Sequence, residues 1–93
     1  MPFIEVKNKK GTADKHTPLG YSSWLDFWEK KNRKKATKCE VLGCGAKVEV
    51  GGHVIKVGEG SKEYILPMCC KCNNKPDNET FKAWDMDLVP VYN

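Results

Sequence analysis

Ninety-three residues, 40% hydrophobic and 30% charged, suit one small globular domain with a thin core and leave no room for two. No apolar run approaches the roughly 20 residues of a membrane span, and residues 1–7 lack the apolar block of a secretory signal, so a cytoplasmic chain without membrane attachment is expected. The net charge of +4 is uneven: residues 1–38 hold ten Lys/Arg against four Asp/Glu, and residues 39–93 hold six against eight, which directs attention to a polyanion partner for the first part.

Residues 1–21 read as a short strand and a loop. Phe3-Ile4-Glu5-Val6 suits a strand at a sheet edge, and the polar stretch from Asn8 to Gly20 is broken by Gly11, Pro18 and Gly20. His16 in that loop reads as solvated. Residues 22–37 read as a basic amphipathic helix. Ser23 with Asp26 three positions on forms a capping pair, and Trp24, Leu25, Phe27 and Trp28 build an apolar face at helical spacing. These aromatics suit either a base-stacking platform or the back of a small core. The second is preferred, because a small domain needs large side chains to bury area. The densest basic run follows: Lys30, Lys31, Arg33, Lys34 and Lys35, with Lys38 just beyond. It serves equally as a face that contacts the phosphates of DNA or RNA and as a solvated helix end, where cations are favoured by the backbone dipole.

Residues 38–93 change character. Cys39-Glu40-Val41-Leu42-Gly43-Cys44-Gly45 reads as a knuckle, two thiols around a tight turn with glycines where the backbone folds back. Ala46-Lys47-Val48-Glu49-Val50 alternates like a strand, Gly51-Gly52 suggests a bulge or kink, and His53-Val54-Ile55-Lys56-Val57 resumes the strand. After a turn at Gly58-Glu59-Gly60-Ser61, Glu63-Tyr64-Ile65-Leu66 returns and is closed by Pro67. A short helix is expected from Cys69 to about Lys75, one further helical turn around Phe81 and Trp84, and a terminal strand at Leu88-Val89-Pro90-Val91.

The five cysteines carry the strongest signal. Cys39-x4-Cys44 and Cys69-x2-Cys72, roughly 25 residues apart, have the spacing of a four-ligand zinc site, since each tight pair aims two thiolates at one tetrahedral centre. Disulfide frameworks usually spread their cysteines over distant loops, and an odd count suits a reducing compartment. One structural zinc per chain is therefore expected, and Cys70 is left as a buried or half-buried thiol. Knuckle, hairpin, and a helix whose first turn supplies the second pair is the order of a treble clef, so the fold class expected is α+β, a small treble-clef zinc finger preceded by an amphipathic helix.

Gly52-His53-Val54 together with the run from Tyr64 through Pro67-Met68-Cys69-Cys70-Lys71-Cys72-Asn73-Asn74-Lys75 resembles the core of HNH endonucleases, over about residues 39–75. The chain's C-terminal half is also similar to small uncharacterised bacterial proteins with Gly-Gly-His-Val, Tyr-Ile-x-Pro-x-Cys and Leu-Val-Pro segments. The HNH resemblance implies a ββα-metal fold. It also implies His53 as the general base on water and Asn73 as a ligand of a second, catalytic divalent metal. Two positions depart from the pattern: Gly52 stands where an acid precedes the histidine, and Tyr64 stands where an asparagine lies. Glu49 replaces the acid only if a bulge at the glycines brings it round. His53 thus has three readings: general base, zinc ligand, or structural histidine hydrogen-bonded across the hairpin, the last being preferred. The expected function is a zinc-binding protein that binds nucleic acid and carries a degenerate nuclease site. The alternatives are an active metal-dependent HNH endonuclease and a zinc-stapled module that docks another protein through its Trp-rich face or its Leu88-Val89-Pro90-Val91 tail.

Overall fold

The computed structural model describes residues 3–9 and 16–91; Gly11, expected to break the first loop, lies outside them. The elements are β1 (Phe3–Asn8), α1 (Trp24–Asn32), β2 (Val50–Lys56), β3 (Glu63–Met68), α2 (Cys70–Asn73), β4 (Thr80–Trp84), a 3-10 turn (Asp85–Asp87) and β5 (Val89–Pro90). The strands form one antiparallel sheet in the order β4-β1-β2-β3-β5, so the α+β class holds. Among the described residues no helix is long and apolar enough to cross a membrane.

Strand alternation gives the sheet two different faces. One face carries Val6, Val54, Tyr64, Leu66, Met68 and Ala83, and these pack with Val41, Leu88 and the buried cysteines as one core. The other carries Ile65, which packs with Phe27, Trp28, Val89 and Val91 as a second core. Helix α1 lies over β2, β3 and β5 on this second face. Phe27 and Trp28 are 3% and 0% exposed, which favours the core reading of the aromatics over an exposed platform.

Helix α1 starts where its cap dictates. Ser23 accepts from Asp26 N–H at 3.0 Å, and the Asp26 carboxylate accepts in return from Ser22 N–H at 3.1 Å. That backbone donor holds the Asp26 carboxyl below its ordinary range. The helix ends earlier than the expected 35–37. Arg33 takes a left-handed conformation (φ 57°, ψ 37°) and its N–H returns to Glu29 O. Glu29 Oε2 then accepts from Ala36 N–H at 2.9 Å, which pins the chain as it leaves the helix.

Four other elements differ from expectation. β1 is not at the sheet edge; it sits between β4 and β2. Phe81 and Trp84 lie on a strand rather than a helical turn, because β1 supplies a partner along all of β4. The strand expected at 46–50 is reduced to a single bridge, Lys38 with Lys47, and β2 begins at Val50. β3 runs through Pro67 to Met68. The Pro67 carbonyl turns away from β2 to accept from Glu40 N–H at 2.9 Å, so the missing proline N–H falls on the same outer side and costs the β2–β3 ladder nothing.

Gly51 and Gly52 form no bulge. They pair in register with Pro67 and Leu66. Both are required by close approach, on opposite faces. A Cβ on Gly51 would stand 2.7 Å from Leu25 N and 2.8 Å from Trp24 C, the backbone of α1. A Cβ on Gly52 would stand 2.5 Å from Met68 Sδ and 2.6 Å from Asn73 Oδ1, beside the cysteine-bearing turn. The two glycines let the helix and the cysteine-bearing turn seat against one strand.

Candidate metal centre

Cys39 and Cys44 sit on the knuckle between α1 and β2, and Cys69 and Cys72 flank the start of α2. The knuckle closes on itself through Cys44 N–H to Val41 O (3.0 Å) and Cys39 N–H to Ala46 O (2.7 Å). Gly43 and Gly45, at φ 85° and 71°, make the left-handed turns that bring the second thiol round. Two further bonds hold the knuckle to the sheet: Glu40 N–H to Pro67 O on β3, and Leu42 N–H to Lys82 O on β4, each 2.9 Å. Cys69 N-caps α2, so Cys69 and Cys72, three apart, reach the same side.

The four sulfurs lie within 4.8 Å of one another, with Cys44 Sγ and Cys69 Sγ 3.8 Å apart. A tetrahedral ion with metal–sulfur bonds of about 2.3 Å needs sulfur–sulfur edges of about 3.8 Å, so the Cys44–Cys69 edge already fits and no edge exceeds that length by more than about 1 Å. The four cysteines are placed to coordinate a metal ion, and the five thiols are free of disulfides. Cys39, Cys69 and Cys72 are buried and Cys44 is exposed. Cys72 N–H bonding holds the Cys69 thiol down at about 7, while burial pushes Cys39 and Cys72 up. The buried Cys39 and Cys72 sulfurs favour their neutral forms unless a cation enters, and binding would release their protons.

Cys70 is exposed, not buried or half-buried as expected; partial loss of hydration and the Glu49 carboxylate beside it push its thiol up, away from a reactive thiolate. Glu49 Oε1 accepts from Cys70 N–H at 2.9 Å, capping the α2 N-terminus where Cys69 offers no side-chain cap. No bulge redirects Glu49, so its carboxylate serves that helix end.

His53 and Asn73 are not brought together. His53 is 7% exposed, and its ring meets Trp24 edge-on at 4.6 Å on the α1 face of β2. Asn73 Oδ1 lies under Gly52 on the cysteine face. The same contact leaves no space for an acidic side chain at Gly52.

The basic run divides. Lys30 and Lys31 close α1, Arg33 caps it, and Lys34 and Lys35 follow. Lys30 pairs with Asp26 at 3.2 Å and Lys34 with Asp87 at 3.6 Å. Lys30, Lys31 and Lys34 stand over the rings of Tyr21, Phe27 and Trp28, each 5.7 Å from the centroid, so their stems cover the second core. A recess there is lined by Asp26, Glu29, Lys30, Lys34 and Lys35 and carries both signs of charge. Lys38 is exposed, at the bridge to Lys47.

One residue of the site has no signal in the sequence. Asn8, read there as loop, ends β1 buried at 4% exposure. Its Nδ2 donates to Cys72 O (2.9 Å), Lys75 O (3.0 Å) and Asn73 O (3.3 Å), collecting the carbonyls that leave α2. Asn8→Ala is expected to destabilise by about 1–3 kcal/mol by leaving buried carbonyls unpaired. Asn8→Asp should cost more, because a carboxylate would face those carbonyls with no proton to give. Thermal midpoints of the two variants check the order; equal midpoints for Asn8→Asp and wild type would reject it.

No protein-family model, curated protein or solved structure matches the chain.

Proposed function

We propose that this protein is a small domain stapled by one structural zinc, treble-clef-like at its centre, cytoplasmic, and built to bind nucleic acid rather than to cleave it. The convergence of four thiols within 4.8 Å carries the zinc reading. An all-thiolate set is soft and selects zinc over magnesium or calcium, and four protein ligands leave no open position for substrate. Knuckle, hairpin and helix start follow one another in treble-clef order, although α2 stops after a single turn, at Asn73, instead of running to Lys75. The net charge of +4 supports a polyanion as ligand.

The placement of His53 and Asn73 on opposite faces of β2 weighs against the nuclease reading. In-line hydrolysis needs a base and a cation at one phosphate, and hard divalent ions want carboxylate oxygens. Elemental analysis of the purified protein is expected to return about one zinc per chain. Plasmid nicking with added Mg²⁺, Mn²⁺ or Ni²⁺ is expected to stay at background for both wild type and His53→Ala. Metal-dependent cleavage abolished by His53→Ala at unchanged zinc content would reverse this reading. Zinc-free protein with paired thiols would end the zinc reading itself.

A further inference from the structure

We infer that the half of the sheet α1 leaves uncovered, the outer face of β1 and β4, is a binding surface for single-stranded nucleic acid, with Phe3 and Trp84 stacking a base and Lys82 and Lys7 contacting the adjoining phosphates. The inference rests on the nucleic-acid reading above and locates its surface.

Helix α1 packs on β2, β3 and β5, and among the described residues no helix or strand lies over the remaining half of that face. Alternation sends Phe3, Glu5 and Lys7 of β1 and Thr80, Lys82 and Trp84 of β4 to this side, while Val6 and Ala83 point into the core. Phe3 and Trp84 are directly opposed in the ladder, and their rings lie 4.1 Å apart at 38°. Phe3 is 52% exposed. With Trp84 half-buried beside it, this aromatic pair is partly in water, where it is costly to solvate and offers π-surface that a base can cover.

An accessible aromatic pair separates this face from the basic run at the end of α1. That run has cations, but its aromatics Phe27 and Trp28 are sealed in the second core, so it has no platform for a base. On the open face, Lys7 and Lys82 make no ion pair among the described residues, and Glu5 accepts from Thr80 Oγ1 at 3.1 Å rather than from either lysine. Lys7 also lines a cleft of ≈ 180 Å³ with Asn8, Lys9, Ile55 and Asp77 at the far end of β1 from Phe3. Four residue steps at about 3.3 Å put that cleft roughly 13 Å from the aromatic pair, a span for a short stretch of strand rather than one nucleotide. A duplex has its bases stacked on each other and presents none to the rings, so the surface selects single strands.

The test is fluorescence anisotropy with fluorescein-labelled 12-nucleotide oligothymidylate and oligouridylate at about 50 mM salt, beside a duplex of the same length. Wild type is expected to bind a single strand more tightly than the duplex. Phe3→Ala and Trp84→Ala should each weaken it about tenfold, within the range for losing one stacked base. Lys82→Gln should lower the log–log salt slope by about 0.7. Lys31→Gln with Lys35→Gln should change affinity less than twofold. Zinc content and thermal midpoint verify the fold, and if Trp84→Ala does not fold, Phe3→Ala and Lys82→Gln decide. Binding lost in the Lys31/Lys35 variant but kept in the face variants would overturn this surface and leave the nucleic-acid reading standing. Tighter binding to the duplex would also overturn it. No binding by wild type would overturn both and assign the exposed apolar pair to a protein partner.

Discussion

Chelating the metal at neutral pH is expected to unfold this domain, and adding zinc back is expected to restore it. Structural zinc contributes of order 10 kcal/mol to domains of this kind, which matches or exceeds the whole stability of a small core. The reason lies in where the ligands are. Cys39, Cys69 and Cys72 belong to the first core, packed with Val6, Val54, Leu66 and Met68. Without a cation the core must enclose polarisable thiols with no common centre, and the knuckle is held to the sheet by two backbone hydrogen bonds. The four ligands should not be equivalent. Cys72→Ser places a hydroxyl, a weak zinc ligand, at a buried position and is expected to abolish stable folding. Cys44→Ser falls at the exposed corner, where water can take the fourth position, and should retain a weakened site. Far-UV circular dichroism during chelator titration, with zinc release followed in parallel, measures both effects. An unchanged thermal midpoint after complete zinc removal would show that the cores hold without it.

Trp28→Ala should be the most damaging single substitution away from the cysteines, at about 3–5 kcal/mol. Trp28 is 0% exposed and fills the second core between Ile65 on β3 and Val89 and Val91 at the C-terminal end. Its indole N–H also donates to Asp87 O at 2.7 Å, tying α1 to the turn that launches β5. Truncation removes the ring and leaves that buried carbonyl unpaired, so packing and hydrogen-bond costs add. Trp28→Phe keeps most of the volume and isolates the hydrogen bond, with an expected cost of about 1–2 kcal/mol beyond the loss of ring area. Urea unfolding of the zinc-loaded proteins gives both numbers. A loss below about 1 kcal/mol for Trp28→Ala would mean that the second core contributes little and that the metal side alone holds the fold.

The tail Leu88-Val89-Pro90-Val91, one candidate for docking another protein, is itself docked. Val89 and Pro90 pair with β3, Val91 N–H donates to Glu63 O at 3.0 Å, and Leu88, Val89 and Val91 are buried. Among the described residues, the large hydrophobic side chains left exposed are Phe3, Leu19, Val57 and Met86, and of these four Phe3 has an aromatic partner facing it in the ladder.

Local signals were enough wherever neighbours in sequence settle the outcome. Metal-ligand spacing is local within each cysteine pair, and the pairs do converge. The Ser23–Asp26 cap is local, and α1 begins there. The alternation of residues 63–66 is local, and β3 includes them. Sequence alone could not say which strand lies beside which, and the misread elements turn on that choice. Phe81 and Trp84 stand three apart, a spacing a helix turn accepts; pairing with β1 made the segment a strand. Gly51-Gly52 looked like a bulge because glycine reports only that no side chain fits, not what occupies the space. The occupants, the α1 backbone on one side and Met68 with Asn73 on the other, come from distant segments. Asn8 had no partner in view until β1 met the end of α2. His53 and Asn73 match a catalytic pattern by order along the chain, but their faces are set by strand parity and by the helix that packs on each side.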